Sequence, residues 1–324
     1  MSDFINHYYC GEEALKLVDD SINAIIEKNR ILFNFGCQGP DFFLYHGVVP
    51  WNKNFGYAKF GEIIHASETN LLFATMYEYC QKPENAAIKD NILSYILGYA
   101  CHHSLDSISH PFIFFFSGFA SHLHKEYEMI LDVLNCKLQG YDDAVTFDSR
   151  KIIPASDTDI QMIQDFHAYV IGRISGKALP EGAVKTCIGD YSQLLSLFPD
   201  SLGIKRILAK IIEKIIGKPH AFSKAFIQKN IKDIDDYMNL KHNKWLHPCD
   251  KDIISDASYP DLFEKAVQDA STKMTGLFQI SGDNDTNQEI AKIIKNFSFE
   301  TGEVFNYENS KNTIKMKYYS PKGF

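Results

Sequence analysis

Apolar residues recur at intervals of three and four along most of this chain, the spacing of one face of an α-helix. The clearest early example predicts a helix from Glu12 to Arg30. The same spacing predicts further helices over residues 57–81, 86–109, 124–134, 157–176, 191–198, 203–217, 221–239 and 259–278. Alternating β-branched segments are scarce before residue 295. The sequence therefore predicts an all-α fold, a multi-helix bundle.

The pattern contains no internal repeat and no linker rich in proline or serine. A chain of 324 residues then fits one large domain better than two ordinary ones. We predict a single helical domain over residues 1–285. Residues 286–324 are polar and aromatic and form either a tail packed on the same domain or a short hairpin.

Composition narrows the function classes. The 33 basic residues are outnumbered by 41 acidic ones, and no basic tract dominates. Such a chain is a poor binder of duplex DNA, because that affinity depends on neutralising phosphates with lysine and arginine. A small phosphate ester, or one carried by a membrane lipid, is still compatible with this charge.

The chain shows no targeting or transmembrane pattern. Its first thirty residues lack a cationic start followed by an apolar segment. The longest apolar run, Pro111–Ala120, is far shorter than the roughly 18 residues that cross a bilayer. The seven cysteines are scattered and form no CxxC pair, which favours reduced, mostly buried thiols. We therefore expect a cytoplasmic protein without a transmembrane segment.

The segment around residue 105 has the spacing of metal ligands on a helix. His102 and Asp106 stand four residues apart, so both side chains lie on one face and can reach a single divalent ion. His110 follows after four more residues, rotated by about 80° from His102, and would point toward a second ion. Pro111 predicts that the helix ends or kinks at this point.

A second histidine–carboxylate pair follows at the same spacing. His124 and Glu128 compete with His122 and Glu126, and we favour the first pair because it lies nearer the apolar stripe of its helix. Other candidates are His65 among apolar residues of a helix, Asp41 behind a Gly-Pro turn, and His7 before the first predicted helix. Each feature alone is common, so the spacing leaves a multi-metal site and coincidence both open.

The order of these residues resembles the zinc-dependent bacterial phospholipase C family, which is related by fold to P1-type nucleases. The resemblance covers the first 135 residues and includes Gly39-Pro40-Asp41, His102-x-x-x-Asp106 and His124-x-x-x-Glu128 with Asp132 one turn later. It implies an all-helical fold and zinc ions in a cleft. Residues 140–324 match the family less clearly.

Carried over residue by residue, the resemblance implies a first ion bound by Asp41, His65, His102 and Asp106, a second by His110, His124 and Glu128, and a third by His7 with bridging Asp106. It also implies that Asp41 is the catalytic base. Secreted members complete the third site with an N-terminal Trp, whereas this sequence has no Trp before Trp51. We therefore expect two or three zinc ions per chain.

The leading hypothesis is a zinc-dependent phosphoric diester hydrolase of the phospholipase C type, acting on a phospholipid or similar phosphodiester through metal-activated water. Its partners would be that substrate and, peripherally, a membrane. One alternative is a nuclease or nucleotide phosphodiesterase, with Phe42, Phe43, Tyr45 and residues 112–116 as stacking platforms. Another is a helical protein that binds a metal or a partner without catalysis.

One later helix bears on the substrate. Over residues 203–218 the isoleucines fall on one stripe and lysines on the other face. We expect the isoleucines to pack into the core, as in any bundle helix. The alternative is an interfacial helix that binds anionic lipid.

Overall fold

The fold was obtained as a computed structural model. It describes residues 4–49, 51–217, 223, 226, 227, 229, 231, 235–280, 285–304 and 318–321.

The described residues are 64% helical with almost no sheet, which confirms the predicted all-α fold. Two short strands, Trp245–Leu246 (β1) and Ile254–Ser255 (β2), pair antiparallel. The α-helices in chain order are α1 (Phe4–Leu15), α2 (Asp20–Lys28), α3 (Arg30–Gly36), α4 (Asp41–Leu44), α5 (Ala58–His65), α6 (Thr69–Cys80), α7 (Ala86–Ser117), α8 (Ser121–Gln139), α9 (Asp157–Ser175), α10 (Ala183–Leu197), α11 (Ile204–Ile216), α12 (Tyr259–Phe278) and α13 (Thr286–Ile294).

Helix α7 runs through the centre of the molecule. The side chain of Asn85 caps its start by accepting from the backbone N–H of Ala87, and it ends at Gly118, whose φ is 72°. It packs most extensively against α12 and α3, and it also contacts α1 and α8. The predicted end at Pro111 was wrong, because the helix continues for six residues beyond it. Burial on both sides outweighs the hydrogen bond that proline removes.

Helices α3 and α7 touch through their backbones. A Cβ added to Gly36 would lie 2.2 Å from the carbonyl oxygen of Tyr95, and one added to Gly98 would lie 2.1 Å from that of Phe33. No side chain fits at either position, so the two glycines set the distance between the helices. The turn that leads to Asp41 leaves α3 directly after this contact.

Two long predicted helices are each divided in the structure. The one over Glu12–Arg30 is replaced by α1 and α2, since Asp19 is extended (ψ 154°) and begins α2. The one over residues 57–81 divides into α5 and α6, where Glu68 is extended and the Ser67 hydroxyl donates to the carbonyl of Ile64. Apolar periodicity continues across both breaks, so it could not reveal them.

The later helices follow the prediction more closely. Helices α9, α11 and α12 agree with it to within a residue at each end. The predicted helix over 191–198 is the second half of α10. Nine of the nineteen positions in the range 221–239 lie outside the described residues, and the ten described positions are not α-helical.

The described residues just after 285 pack back onto the bundle. They form α13, which contacts α6 and α12, rather than only a hairpin. Asn296 accepts from the backbone N–H of Asn70, and the Asn296 N–H donates to the Asn70 side chain. The division at residue 285 stays a prediction.

None of the helices in the described part of the chain is long and apolar enough to cross a membrane. All seven cysteines are free thiols, and six of them are buried.

Candidate metal centre

Asp106 lies at the middle of a buried cluster of histidines and carboxylates. Its Oδ2 lies 3.1 Å from Nε2 of His102 and 3.7 Å from Nε2 of His65. Its Oδ1 lies 3.2 Å from Nε2 of His7 and 3.7 Å from Nε2 of His110. One carboxylate therefore faces four imidazoles that come from α1, α5 and α7.

The first group of candidate ligands comprises Asp41, His65 and His102. Asp41 Oδ1 lies 3.1 Å from Nε2 of His65 and 4.0 Å from Nε2 of His102. The other ring nitrogen of His65 donates to the carbonyl of Gly61 at 3.0 Å, which fixes the ring. Gly39 adopts a φ of 53°, and a Cβ there would lie 2.2 Å from the His102 ring. The turn can therefore pass over His102 only because this residue is glycine.

The second group comprises His110, His124 and Glu128. Glu128 Oε1 lies 2.8 Å from Nε2 of His124 and 3.4 Å from Nε2 of His110. The competing pair is not in this group: His122 is exposed, and Glu126 forms an ion pair with Arg206. The choice of His124 and Glu128 over His122 and Glu126 thus agrees with the geometry.

The third group comprises His7, His102 and Asp106. The sequence predicted that His7 lies before the first helix. In the structure it lies within α1. Asp132 of α8 holds the start of α1, since its carboxyl accepts from the backbone N–H groups of Ile5 (3.3 Å) and Asn6 (2.7 Å). Free N–H groups of a first helical turn are natural donors to a carboxyl group. Asp132 therefore positions the helix that carries His7.

Residues 297–302, which follow α13, contact the centre. The Nδ1–H of His110 donates to the carbonyl of Phe299 at 2.7 Å, and Nε2–H of His103 donates to that of Phe297 at 2.7 Å. The Phe299 ring packs edge-on against His65, with centroids 5.3 Å apart. Gly302 (φ 63°) follows, and a Cβ there would lie 2.0 Å from the Ser107 carbonyl oxygen. The carbonyl of Ser107 has no N–H donor four residues on in the helix, because residue 111 is proline.

Burial and mutual charge shift the pKa values of several groups in this cluster. Burial raises the pKa of Asp106, but the charges of His102 and His110 hold it well below its usual range. Burial lowers the pKa of His65 and His110, yet the carboxylates around them raise these pKa values to about 10 and about 9. Burial raises the pKa of Glu128, and His124 with its neighbours lowers it to about 2. The carboxylates are therefore anionic at neutral pH.

The ligand atoms fit divalent cations better than they fit one another. Nε2 of His102, Nε2 of His110 and Oδ2 of Asp106 are buried within ion-pair distance of partners but make no hydrogen bond of acceptable angle. Buried polar atoms in that condition require an explanation, and a bound ion is one of the few available. Imidazole nitrogen with carboxylate oxygen is a donor set that zinc accepts readily.

A family model described as zinc-dependent phospholipase C matches residues 6–179, more than half of the chain. The chain belongs to this family. The match begins just before His7, ends between α9 and α10 and includes all eight candidate ligands. No curated protein and no solved structure matches the chain significantly.

The structure brings together every candidate named from the sequence: His7, Asp41, His65, His102, Asp106, His110, His124 and Glu128. Their roles as ligands stay a prediction. Sequence reasoning missed the contribution of Phe299, about 190 residues from its partner, and no spacing rule could have found it. It also missed Lys273, which is buried and bonds Nδ1 of His103 (2.9 Å), the Ser104 hydroxyl and Asp269.

Proposed function

We propose that this member of the zinc-dependent phospholipase C family hydrolyses a phospholipid at the phosphate ester on the glycerol side. The observation that carries the proposal is the position of Asp106, whose two oxygens face separate pairs of imidazoles. A carboxylate placed in this way would be able to serve as a ligand to two cations, and paired metals suit the displacement at a phosphodiester.

The three groups would hold two or three zinc ions. Bound zinc supplies a Lewis acid for phosphoryl oxygens and lowers the pKa of water toward neutrality. Asp41 is 2% exposed, and despite its burial the neighbouring histidines hold its pKa well below the usual range. It is therefore ionised at neutral pH and can orient the attacking water by accepting a hydrogen bond from it. Substrate lipid also implies peripheral contact with a membrane.

The burial of the aromatic residues argues against the nuclease alternative. Of the expected base-stacking platforms, Phe42, Phe43, Tyr45 and Phe112 are fully buried, whereas Phe114 is partly exposed and packs beside the rings of His110 and His124. A platform must present a ring face to the nucleotide. The buried aromatic residues pack the core that supports the cluster instead, which leaves Phe114 as the platform on which the nuclease alternative depends.

The first test is the metal content of protein purified without chelators and without a histidine tag, measured by plasma mass spectrometry. We expect two to three zinc ions per chain. Asp106→Asn should lose most of the metal, because the neutral amide is a weak ligand that would have to serve two ions. Asp190→Asn is the matched control, since Asp190 is a buried carboxylate bonded to His46 and Asn52 away from the cluster.

The second test compares hydrolysis of a short-chain phosphatidylcholine with that of single-stranded DNA. We expect the parent chain to release diacylglycerol. The activity of Asp106→Asn should be lower by at least about a hundredfold. Cleavage of DNA alone would select the nuclease alternative. Absence of zinc even after zinc is added, or full activity in Asp106→Asn, would refute the proposed function.

A further inference from the structure

Helix α11 presents its apolar side to solvent. Six large aliphatic side chains between residues 204 and 215 are about half exposed or more, and Ile207 and Ile215 are 60% and 77% exposed. The expectation that these isoleucines pack into the core was therefore wrong. The six residues are Ile204, Ile207, Leu208, Ile211, Ile212 and Ile215, called the α11 apolar face below.

The opposite side of α11 is the one that faces the protein, and it is polar. Glu213 is 3% exposed and accepts from the backbone N–H (2.6 Å) and hydroxyl (2.8 Å) of Ser223. Arg206 forms an ion pair with Glu126 at 2.6 Å, and Ala209 is buried beside them. The helix is thus oriented by specific polar contacts, which hold the α11 apolar face outward.

The charge around this face is positive. At 100° per residue the α11 apolar face spans about 140° of the circumference, with Lys205 on one side and Lys210 and Lys214 on the other. All three lysines are exposed, whereas Glu213, the single acid in the helix sequence, is buried. A local cationic rim therefore surrounds an apolar stripe in a chain whose net charge is −8.

We propose that the α11 apolar face docks this protein on anionic phospholipid bilayers. An apolar stripe flanked by lysines is the arrangement that lies in a membrane interface, with the stripe among acyl chains and the lysines at headgroup phosphates. The helix is anchored through Arg206 to Glu126 of α8, between the candidate ligands His124 and Glu128. The proposal rests on the proposed function only in that a phospholipid substrate lies in a bilayer.

A second copy of the chain fits this face less well. Two copies of α11 in contact would bring their lysines close together, and the helix has no exposed acid to neutralise them. A helix of 13 residues is also only about 20 Å long, so its face offers far less than the roughly 800 Å² per partner of a standard interface. Anionic lipid satisfies the lysines and the isoleucines together.

The test is flotation of the full-length chain with vesicles of phosphatidylcholine, alone or mixed with phosphatidylglycerol. We expect binding to the mixed vesicles that weakens as salt rises. The double variant Ile207→Ser/Ile211→Ser should bind roughly tenfold or more weakly, and Lys210→Gln/Lys214→Gln should lose the preference for anionic vesicles. Leu138→Ser is the matched control, because Leu138 and Ile211 are equally exposed at 52%.

Repeating the flotation in the Asp106→Asn background separates docking from hydrolysis. Activity on a monomeric short-chain lipid should be unchanged in Ile207→Ser/Ile211→Ser, whereas activity on mixed vesicles should fall with binding. If the parent chain docks through α11 but hydrolyses no lipid, the proposed function is refuted and the docking proposal is not. Equal flotation of the double variant and the parent chain would overturn the docking proposal, as would a failure of the parent chain to bind. A dimer in solution that Ile207→Ser/Ile211→Ser dissociates would assign the face to a second copy instead.

Discussion

The Nδ1–H of His110 donates to the carbonyl oxygen of Phe299 at 2.7 Å, across 189 positions of sequence. A histidine ligand needs such an acceptor on its second nitrogen to fix its tautomer and ring orientation. The acceptor here belongs to a segment beyond the part of the chain that the family model matches. The second group of candidate ligands thus depends on the C-terminal region.

Gly302→Ala should disturb that dependence. The new methyl group would lie 2.0 Å from the Ser107 carbonyl oxygen, so the segment carrying Phe299 must shift away from α7. We expect a lower melting temperature and a loss of about one zinc ion, measured by differential scanning fluorimetry and plasma mass spectrometry.

Gly140→Ala is the control for this variant. Gly140 has a similar positive φ, 73° against 63°, but nothing lies within 4 Å of its added Cβ. It should show only the roughly 1–2 kcal/mol strain of a left-handed residue with its zinc content intact. Equal effects of the two substitutions would mean that backbone strain, not the contact with α7, is responsible.

His124→Ala should remove the second zinc ion while His122→Ala leaves the metal content unchanged. The two residues lie on the same helix, but His124 is buried 2.8 Å from Glu128 and His122 is exposed. Metal content and zinc-dependent thermal stabilisation of both variants provide the measurement. Metal loss in His122→Ala would contradict the assignment of ligands on α8.

Asp132→Ala should weaken the site that contains His7 more than the other two. The substitution removes the acceptor for the N–H groups of Ile5 and Asn6, and leaving them unpaired costs about 1–3 kcal/mol. Urea unfolding should show that loss, and zinc titration should show weaker binding of one ion. Asp190→Ala should be destabilised too, but with zinc binding unaltered. A uniform loss at all sites in Asp132→Ala would argue against a specific role in placing α1.

His167 should make the protein acid-labile. Burial lowers its pKa from 6.5 to about 3, while its Nε2 accepts from the Tyr95 hydroxyl at 2.8 Å. His167 therefore takes up a proton below about pH 6.5 in the unfolded chain but only near pH 3 in the folded chain. Stability from this residue is complete above that range and falls by about 1.4 kcal/mol per pH unit within it.

His167→Gln retains a polar side chain but cannot titrate. With a chelator present, its free energy of unfolding should fall less steeply between those two pH values than that of the parent chain. The difference in slope should correspond to one proton, about 1.4 kcal/mol per pH unit. His122→Gln, at an exposed position, should keep the parent slope. Identical slopes for His167→Gln and the parent would show that His167 takes up its proton over the same pH range in the folded and unfolded chains.

Local patterns predicted the helical class and the two histidine–carboxylate pairs, because both depend on residues a few positions apart. The full set of candidate ligands came instead from the resemblance to the family. His102, Asp106 and His110 share a side of α7 through spacing alone. Helix breaks at Asp19 and Glu68 depend instead on single extended residues, which periodicity averages out. The outward orientation of α11 also could not be read from the sequence, because an apolar stripe has the same pattern whether it faces a core or solvent.

The contact between Gly36 and Gly98 has a consequence for metal uptake. The backbones of α3 and α7 are in contact there, so the segment that leads to Asp41 starts at a fixed position along α7. That position, Gly98, is one helical turn before His102. The arrangement of the first group is then settled when the chain folds, and the entropy of ordering these ligands is lost at that stage. An arriving cation has little left to organise, so the apoprotein should keep its native spectrum and reload zinc without a folding-limited delay.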